Sequence, residues 1–217
     1  MKQLNVLVGC EESQAVTIEF DRIGHNARSC DLQPCSGGRP DLHIQDSIFH
    51  VLHSPIYSGG LDLFIGHPPC TYLANSGVRW LYNSDGSVNK ERWQKMEEAA
   101  LFFRSLLHVN CNRVCIENPI IHKHALKIIG VKPTQIIQPW QFGHGETKAT
   151  CLWLKGLPPL VPTEIVDGRE QRIWKMPPSP ERTKLRSKTY PGIARAMAEQ
   201  WGGHQCATGQ TSMLFDS

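Results

Sequence analysis

Short apolar runs alternate with helix-spaced patterns from the first residues onward, and this alternation restricts the fold more than any other feature of the chain. Leu4 to Val8 reads as a buried strand ending at Gly9, and Ser13 is placed to cap a helix from about Gln14 to Ile23. Gly24-His25-Asn26 ends that helix, and Ala27 to Leu32 reads as a second strand finishing at Asp31. A Pro/Gly-rich loop from Pro34 to Pro40 leads to Asp46 and a helical piece at Ile48 to His53. Leu61 to Ile65 is another buried strand, stopped by Gly66-His67-Pro68-Pro69-Cys70. The longest helix spans about Asn89 to Val109, with Trp93, Met96, Ala100, Phe103 and Leu107 on one stripe. Arg113 to Ile116 is a strand ending at Glu117-Asn118-Pro119, followed by a helix to about Gly130. Thr134 to Phe142 and Thr150 to Leu154 read as strands, Pro158 to Pro180 as irregular, and Gly192 to Gln200 as a last helix. Such an order predicts an α/β fold with a mostly parallel sheet.

A chain of 217 residues, 40% hydrophobic and 20% charged, buries a full core without disulfide or metal staples. Its net charge of +3 permits nucleic-acid contact without requiring it. No apolar run approaches the roughly 18 residues of a membrane span. Met1-Lys2 does not open a signal peptide, so a cytoplasmic protein with eight reduced cysteines is expected. Cys111 and Cys115 precede His122 and His124 at spacings unlike a zinc finger, and no metal is expected.

In open α/β sheets, ligands bind beyond the carboxyl ends of the strands. Four such ends carry unusual text: Gly9-Cys10-Glu11, Asp31, Gly66 to Cys70, and Glu117-Asn118-Pro119. Gly9 suits a close backbone approach and Asp31 suits a ribose diol, a pairing that indicates an adenosine-bearing cofactor; a turn glycine and a helix-capping acid are the plainer alternative. Only one glycine stands where a dinucleotide fingerprint needs three, so a nucleoside without pyrophosphate fits better. Pro68 and Pro69 stiffen their loop and present the Cys70 thiol in a fixed direction, as a nucleophile requires. Glu117, at the next strand end, is expected to be partly desolvated and to hold a proton near neutral pH. The same residues also read as a helix N-terminus, with Asn118 as cap and Pro119 as first helical residue.

On these residues the chain resembles the S-adenosylmethionine-dependent DNA cytosine-5 methyltransferases, and most of all small methylase-like proteins of phages and prophages. Leu61 to Gly77 is similar to the family's Pro-Cys catalytic loop, and Val114-Cys115-Ile116-Glu117-Asn118-Pro119 to its Glu-Asn-Val motif with proline for valine. Order and spacing agree over about residues 4 to 130. The resemblance implies a Rossmann-like class I methyltransferase fold with helices on both faces of the sheet. It implies a cofactor site at Gly9, Cys10, Glu11, Asp31, Leu32, Asp46 and Pro68. Catalytic roles fall to Cys70 and Glu117, with Lys148 standing near the place of a family arginine, and substrate contacts to Pro69, Asn118, Ser76 and Arg172. Cys70 is then expected to add to cytosine C6 while Glu117 engages N3, so that C5 accepts the methyl group.

The chain departs from the family at several points. Glu11 occupies the place of a second glycine, Lys148 follows Glu146-Thr147, and Ile193 replaces an asparagine in Pro191-Gly192-Ile193-Ala194. Members that read duplex DNA carry a large recognition domain where this chain has only residues 155–188. That stretch holds Arg169, Arg172, Lys175, Arg182, Lys184, Arg186 and Lys188, with Trp153 and Trp174 nearby, and is expected either to grip phosphates and stack bases or to be a solvated charged surface. The expected organisation is a catalytic domain over 1–154, this basic loop, a returning helix over 189–203 and a flexible tail over 204–217. The substrate is expected to be DNA, duplex or single-stranded, with low or partner-supplied specificity, which leaves room for a specificity partner or a homo-oligomer. A free cytosine nucleotide and a catalytically weak nucleic-acid-binding protein are the alternatives.

Overall fold

Seven strands pair into one sheet in the order β3-β2-β1-β4-β5-β7-β6. They are β1 (Asn5–Gly9), β2 (Asn26–Asp31), β3 (His43–Gln45), β4 (Leu63–Gly66), β5 (Val114–Pro119), β6 (Gln135–Ile137) and β7 (Thr150–Lys155). The computed structural model describes residues 2–57, 59–175, 177, 179 and 186–203. Strands β3 to β5 run parallel in that order, and β7 lies antiparallel to both β5 and β6. The chain has a Rossmann-like α/β fold with a mostly parallel sheet.

Helices cover both faces, which is why the central strands read as continuous apolar runs. Within β1 the pleat sends Leu7 to one face and Val6 and Val8 to the other. Leu7 and Phe64 meet α2 (Ile48–Leu52), α3 (Lys90–Leu107) and α4 (Lys123–Ile129) through Ile48, Met96, Phe103 and Ala125. Val6, Val8 and Ile65 meet α1 (Ala15–Arg22) and the C-terminal helix through Phe20, Ile193, Met197 and Trp201. A short turn, α5 (Arg172–Lys175), precedes that last helix, α6 (Pro191–Gly202).

Local chemistry moves several expected boundaries. Helix α1 is not capped by Ser13. Gln14 takes a left-handed φ of 57° at the N-cap, and the Glu11 carboxylate reaches the first turn instead. Residues 118 and 119 do not open a helix: antiparallel pairing with Thr150 and Cys151 keeps Asn118 and Pro119 in β5, and α4 starts later with His122 as its cap. Pro139 ends β6 early in a 3-10 turn, so the strand expected to reach Phe142 has three residues. The Asn89 side chain caps α3 by accepting the Arg92 N–H, and the buried stripe closes on Leu106 rather than Leu107. The expected tail over 204–217 lies outside the described residues.

Register brings the functional ends together. Gly9 stands opposite both Cys30 and Gly66, and Gly66 opposite Ile116. The chain leaves β1 toward β2 and β3 on one side and returns through β4 to β5 on the other. The crevice at this switch point is where such sheets bind ligands.

Candidate active site

The loop after β4 is stitched to the end of β5 before any ligand is considered. Asn118 donates from Nδ2 to the Pro68 carbonyl at 2.8 Å. The Asn75 N–H donates to Ile120 O at 2.8 Å and the His122 N–H to Leu73 O at 3.0 Å. Cys70 O accepts the N–H groups of Leu73 and Ala74, so the chain turns directly after the thiol. Two prolines that supply no N–H, followed by a bonded turn, hold Cys70 half-buried beside Glu117.

His67 and Glu117 form the ionic centre of the site. Their Nδ1 and Oε2 atoms lie 2.9 Å apart, with the two side chains only 8% and 13% exposed. Burial opposes the imidazolium, yet the hydrogen bond and charge of Glu117, with the charge of Glu11, raise the His67 pKa. Burial favours the neutral acid at Glu117, but the His67 hydrogen bond and charge, assisted by Lys148, hold the carboxyl below its ordinary value. Both shifts run against the expectation of a proton held on Glu117: the pair favours a Glu117 carboxylate facing a His67 imidazolium. Burial and the Glu117 charge raise the Cys70 thiol, while Arg186 and Lys148 act in the opposite direction. Lys148 reaches this field from a tether, donating Nζ to the carbonyls of Arg186 and Lys188 at 2.7 and 3.3 Å.

The opposite half of the crevice is built differently. Gly9 is buried, and a Cβ there would meet Ile48 Cδ1 at 2.8 Å, so a side chain at this position would crowd the core. Cys10 adopts φ 60°, and burial with the nearby Asp31 charge pushes its thiol up to about 12. The Glu11 carboxylate is turned into α1, accepting from Val16 N at 2.6 Å and from Thr17 N and Oγ1 at 3.2 and 2.6 Å. Its side chain is thus occupied within the fold. Among the described residues Asp31 accepts only the Gln33 N–H, through Oδ1, and Leu32 beside it is 74% exposed. Both oxygens of Asp46 are engaged, by Ser47 N and by His50 Nδ1. Between Cys10, Glu11, Ser13, His67, Ser187 and Thr189 remains a cavity of about 30 Å³.

The remaining candidates separate. Pro68 is buried and Pro69 exposed at the loop tip, and Ser76 is exposed on the 3-10 turn Asn75–Leu81. Arg172 is paired with Glu146 at 3.0 Å, and Tyr190 donates to the same carboxylate at 2.7 Å. Arg169 lies over the Trp140 ring at 3.9 Å, and Trp153 is buried inside β7 against Phe103. The stacking expected of Trp153 is thereby ruled out. Arg182, Lys184 and the Trp174 side chain lie outside the described residues. Both His122 nitrogens are engaged, by Ala125 N and Tyr72 O, and among the described residues no three metal-ligating groups converge. His67 is the functional residue the sequence argument passed over. Its signal was present: it follows Gly66 as Glu117 follows Ile116, and those two residues are register partners.

No protein-family model and no curated protein matches the chain. Among solved structures it is similar to an E. coli prophage-encoded protein described as a DNA modification methyltransferase, with 15% identity, a TM-score of 0.49, and 81% of this chain and 56% of that one covered. It is also similar to the Entamoeba histolytica methyltransferase EhMeth, with 17% identity, a TM-score of 0.45, and coverage of 79% and 58%. The chain thus spans less than two thirds of the length of either structure.

Proposed function

We propose that the chain methylates C5 of cytosine in nucleic acid through a covalent adduct at Cys70, with S-adenosylmethionine as the methyl donor. One observation carries this reading: Asn118 and His67 tie the Pro68-Pro69-Cys70 loop to Glu117, so a thiol and a proton-bearing pair converge on one crevice. The Cys70 thiolate adds to C6, forming a C–S bond while the C5=C6 electron pair is drawn toward N3. Lys148 and Arg186 favour the thiolate against burial. Glu117 passes the proton carried by the His67 pair to N3, which leaves C5 nucleophilic. As C5 takes the methyl group, the donor's S–CH3 bond would break and S-adenosylhomocysteine would leave. Solvent water would then take the C5 proton, the C6–S bond would break to free the Cys70 thiolate, and the N3 proton would return to the Glu117–His67 pair, so that one proton reaches solvent per methyl group transferred.

The cofactor residues fit a nucleoside at two points. Among the described residues nothing donates to the second carboxylate oxygen of Asp31, which suits a ribose hydroxyl, and exposed Leu32 offers an apolar flank for adenine. Backbone at Cys10 and Glu11, with Pro68, borders the sulfonium end. When bound, S-adenosylmethionine supplies an electrophilic methyl group. The test uses labelled cofactor with single-stranded DNA, duplex DNA and dCMP in separate reactions, together with an oligonucleotide carrying 5-fluorocytosine. Fluorine at C5 cannot leave as a proton, so the adduct should persist on a denaturing gel and be absent for Cys70→Ala. Cofactor binding without label on any substrate, and without adduct, overturns the proposal.

A further inference from the structure

We infer that an open depression beside Cys70, formed by Trp80, Tyr82, Asn89 and Arg92, is a docking surface for single-stranded nucleic acid. The surface rests on the methyl-transfer reading only for its neighbour, the reactive thiol. It starts one residue from that thiol: Arg92, in the first turn of α3, donates Nη2 to the Thr71 carbonyl at 3.1 Å, and its guanidinium lies over the Tyr72 ring at 4.7 Å. The depression encloses about 430 Å³. That is within the range of about 300–1,000 Å³ found for small-molecule sites, enough for a nucleobase and its sugar.

Its chemistry is that of a stacking platform with phosphate contacts. Trp80 is 53% exposed although the Arg79 guanidinium covers its ring at 4.4 Å. Tyr82 is also exposed, and its ring meets Trp93 edge-on. Exposed aromatics grouped in this way mark binding surfaces rather than ordinary solvent-facing positions. Among the described residues neither Arg79 nor Arg92 forms an ion pair with a carboxylate, whereas Arg39 and Arg172 do. Two uncompensated cations beside an aromatic face complement a phosphate-linked chain. Asn89 uses Oδ1 to cap α3 and keeps its amide N–H groups as donors to a base edge.

The arrangement selects a polymer over a free nucleotide, because a ligand must span the thiol and the platform together. It also selects an unpaired strand over a duplex, since the bases of a duplex stack on each other and offer no face to Trp80. Within the described part of the basic stretch and beside it, Trp153 is buried, and Arg169 and Arg172 are engaged within the fold.

Fluorescence anisotropy with one short oligonucleotide, presented single-stranded and as its duplex, tests the inference on the full chain. The single strand should bind tighter. Trp80→Ala should weaken it about tenfold or more, Trp80→Phe should retain most of the affinity, and Arg79→Gln should reduce the salt dependence by roughly 0.7 in the log–log slope. S-adenosylmethionine affinity, measured on the same samples, should stay within twofold, which separates lost contact from lost fold. Equal affinity of Trp80→Ala and wild type, duplex bound as tightly as single strand, or no binding to either overturns the surface. Trp80-dependent binding without methyl transfer leaves the surface standing and removes the reaction. Methyl transfer to dCMP with Trp80-independent binding does the reverse.

Discussion

The carboxyl ends of β4 and β5 are bound to each other, whereas those of β1 and β2 hold groups that work separately. At β4 and β5, His67 meets Glu117 and Asn118 meets the Pro68 carbonyl, so each functional side chain is fixed by another. At β1 and β2, Glu11 serves helix α1, Gly9 serves the core, and Asp31 retains capacity for a ligand. The contrast teaches where this fold is preorganised. On the proposed reading, the groups that must be aligned for bond formation are held by protein bonds, while the half assigned to the cofactor relies on one open acid and an apolar flank.

Five substitutions break or sharpen that contrast. Cys70→Ala should reduce methyl transfer by roughly 10⁴-fold or more with unchanged cofactor affinity by calorimetry; retained turnover removes the nucleophile assignment. Glu117→Gln keeps the shape but cannot relay a proton, and single-turnover rates should fall about 10²- to 10⁴-fold. His67→Ala leaves a buried carboxylate unpaired and should cost roughly 3–5 kcal/mol in denaturant unfolding at pH 5.5.

That last cost has a defined pH course. The raised His67 pKa gives stability that is complete below its ordinary value of 6.5 and is lost as pH rises through the folded value. The lowered Glu117 pKa gives stability present above its ordinary 4.5 and lost as pH falls through the folded value. The difference between wild type and His67→Ala should therefore be largest between these limits and shrink as pH rises through the folded His67 value. A difference that grows with pH contradicts the assigned proton.

The smallest effects belong to the other half of the crevice. Asp31→Ala should weaken cofactor binding by about 10- to 100-fold, the worth of a charged hydrogen bond, with little change in stability. Glu11→Gln should do the opposite, costing about 1 kcal/mol of unfolding free energy as a weakened helix cap and sparing the cofactor. If the two variants exchange phenotypes, the division between an open acid and a capping acid is wrong.

Much of the fold was legible because strand ends announce themselves locally. Gly9, Asp31 and Gly66 end strands where expected, and apolar periodicity placed α3. Pairing direction was not legible in β5, because the strand gains Glu117 to Pro119 only through contact with β7. Cys70 and Glu117 carried recognisable text, but the tie between their loops joins residues 50 positions apart. Nor could the sequence distinguish the basic residues: Arg172 and Arg79 look alike as text, and only neighbours 26 positions away and next in chain make one paired and the other a stacked, exposed cation.

The sequence by itself determined the strand–helix order, the stiff Pro68-Pro69-Cys70 loop and the acids that follow the strands. Those depend on backbone freedom, side-chain shape and hydrophobic period, all of them local properties. The tertiary structure decided which acid caps a helix, which one a neighbouring imidazole holds toward its charged form and which aromatic faces solvent. Such outcomes depend on desolvation and on charges a few ångströms away, and those neighbours exist only once distant segments have packed together.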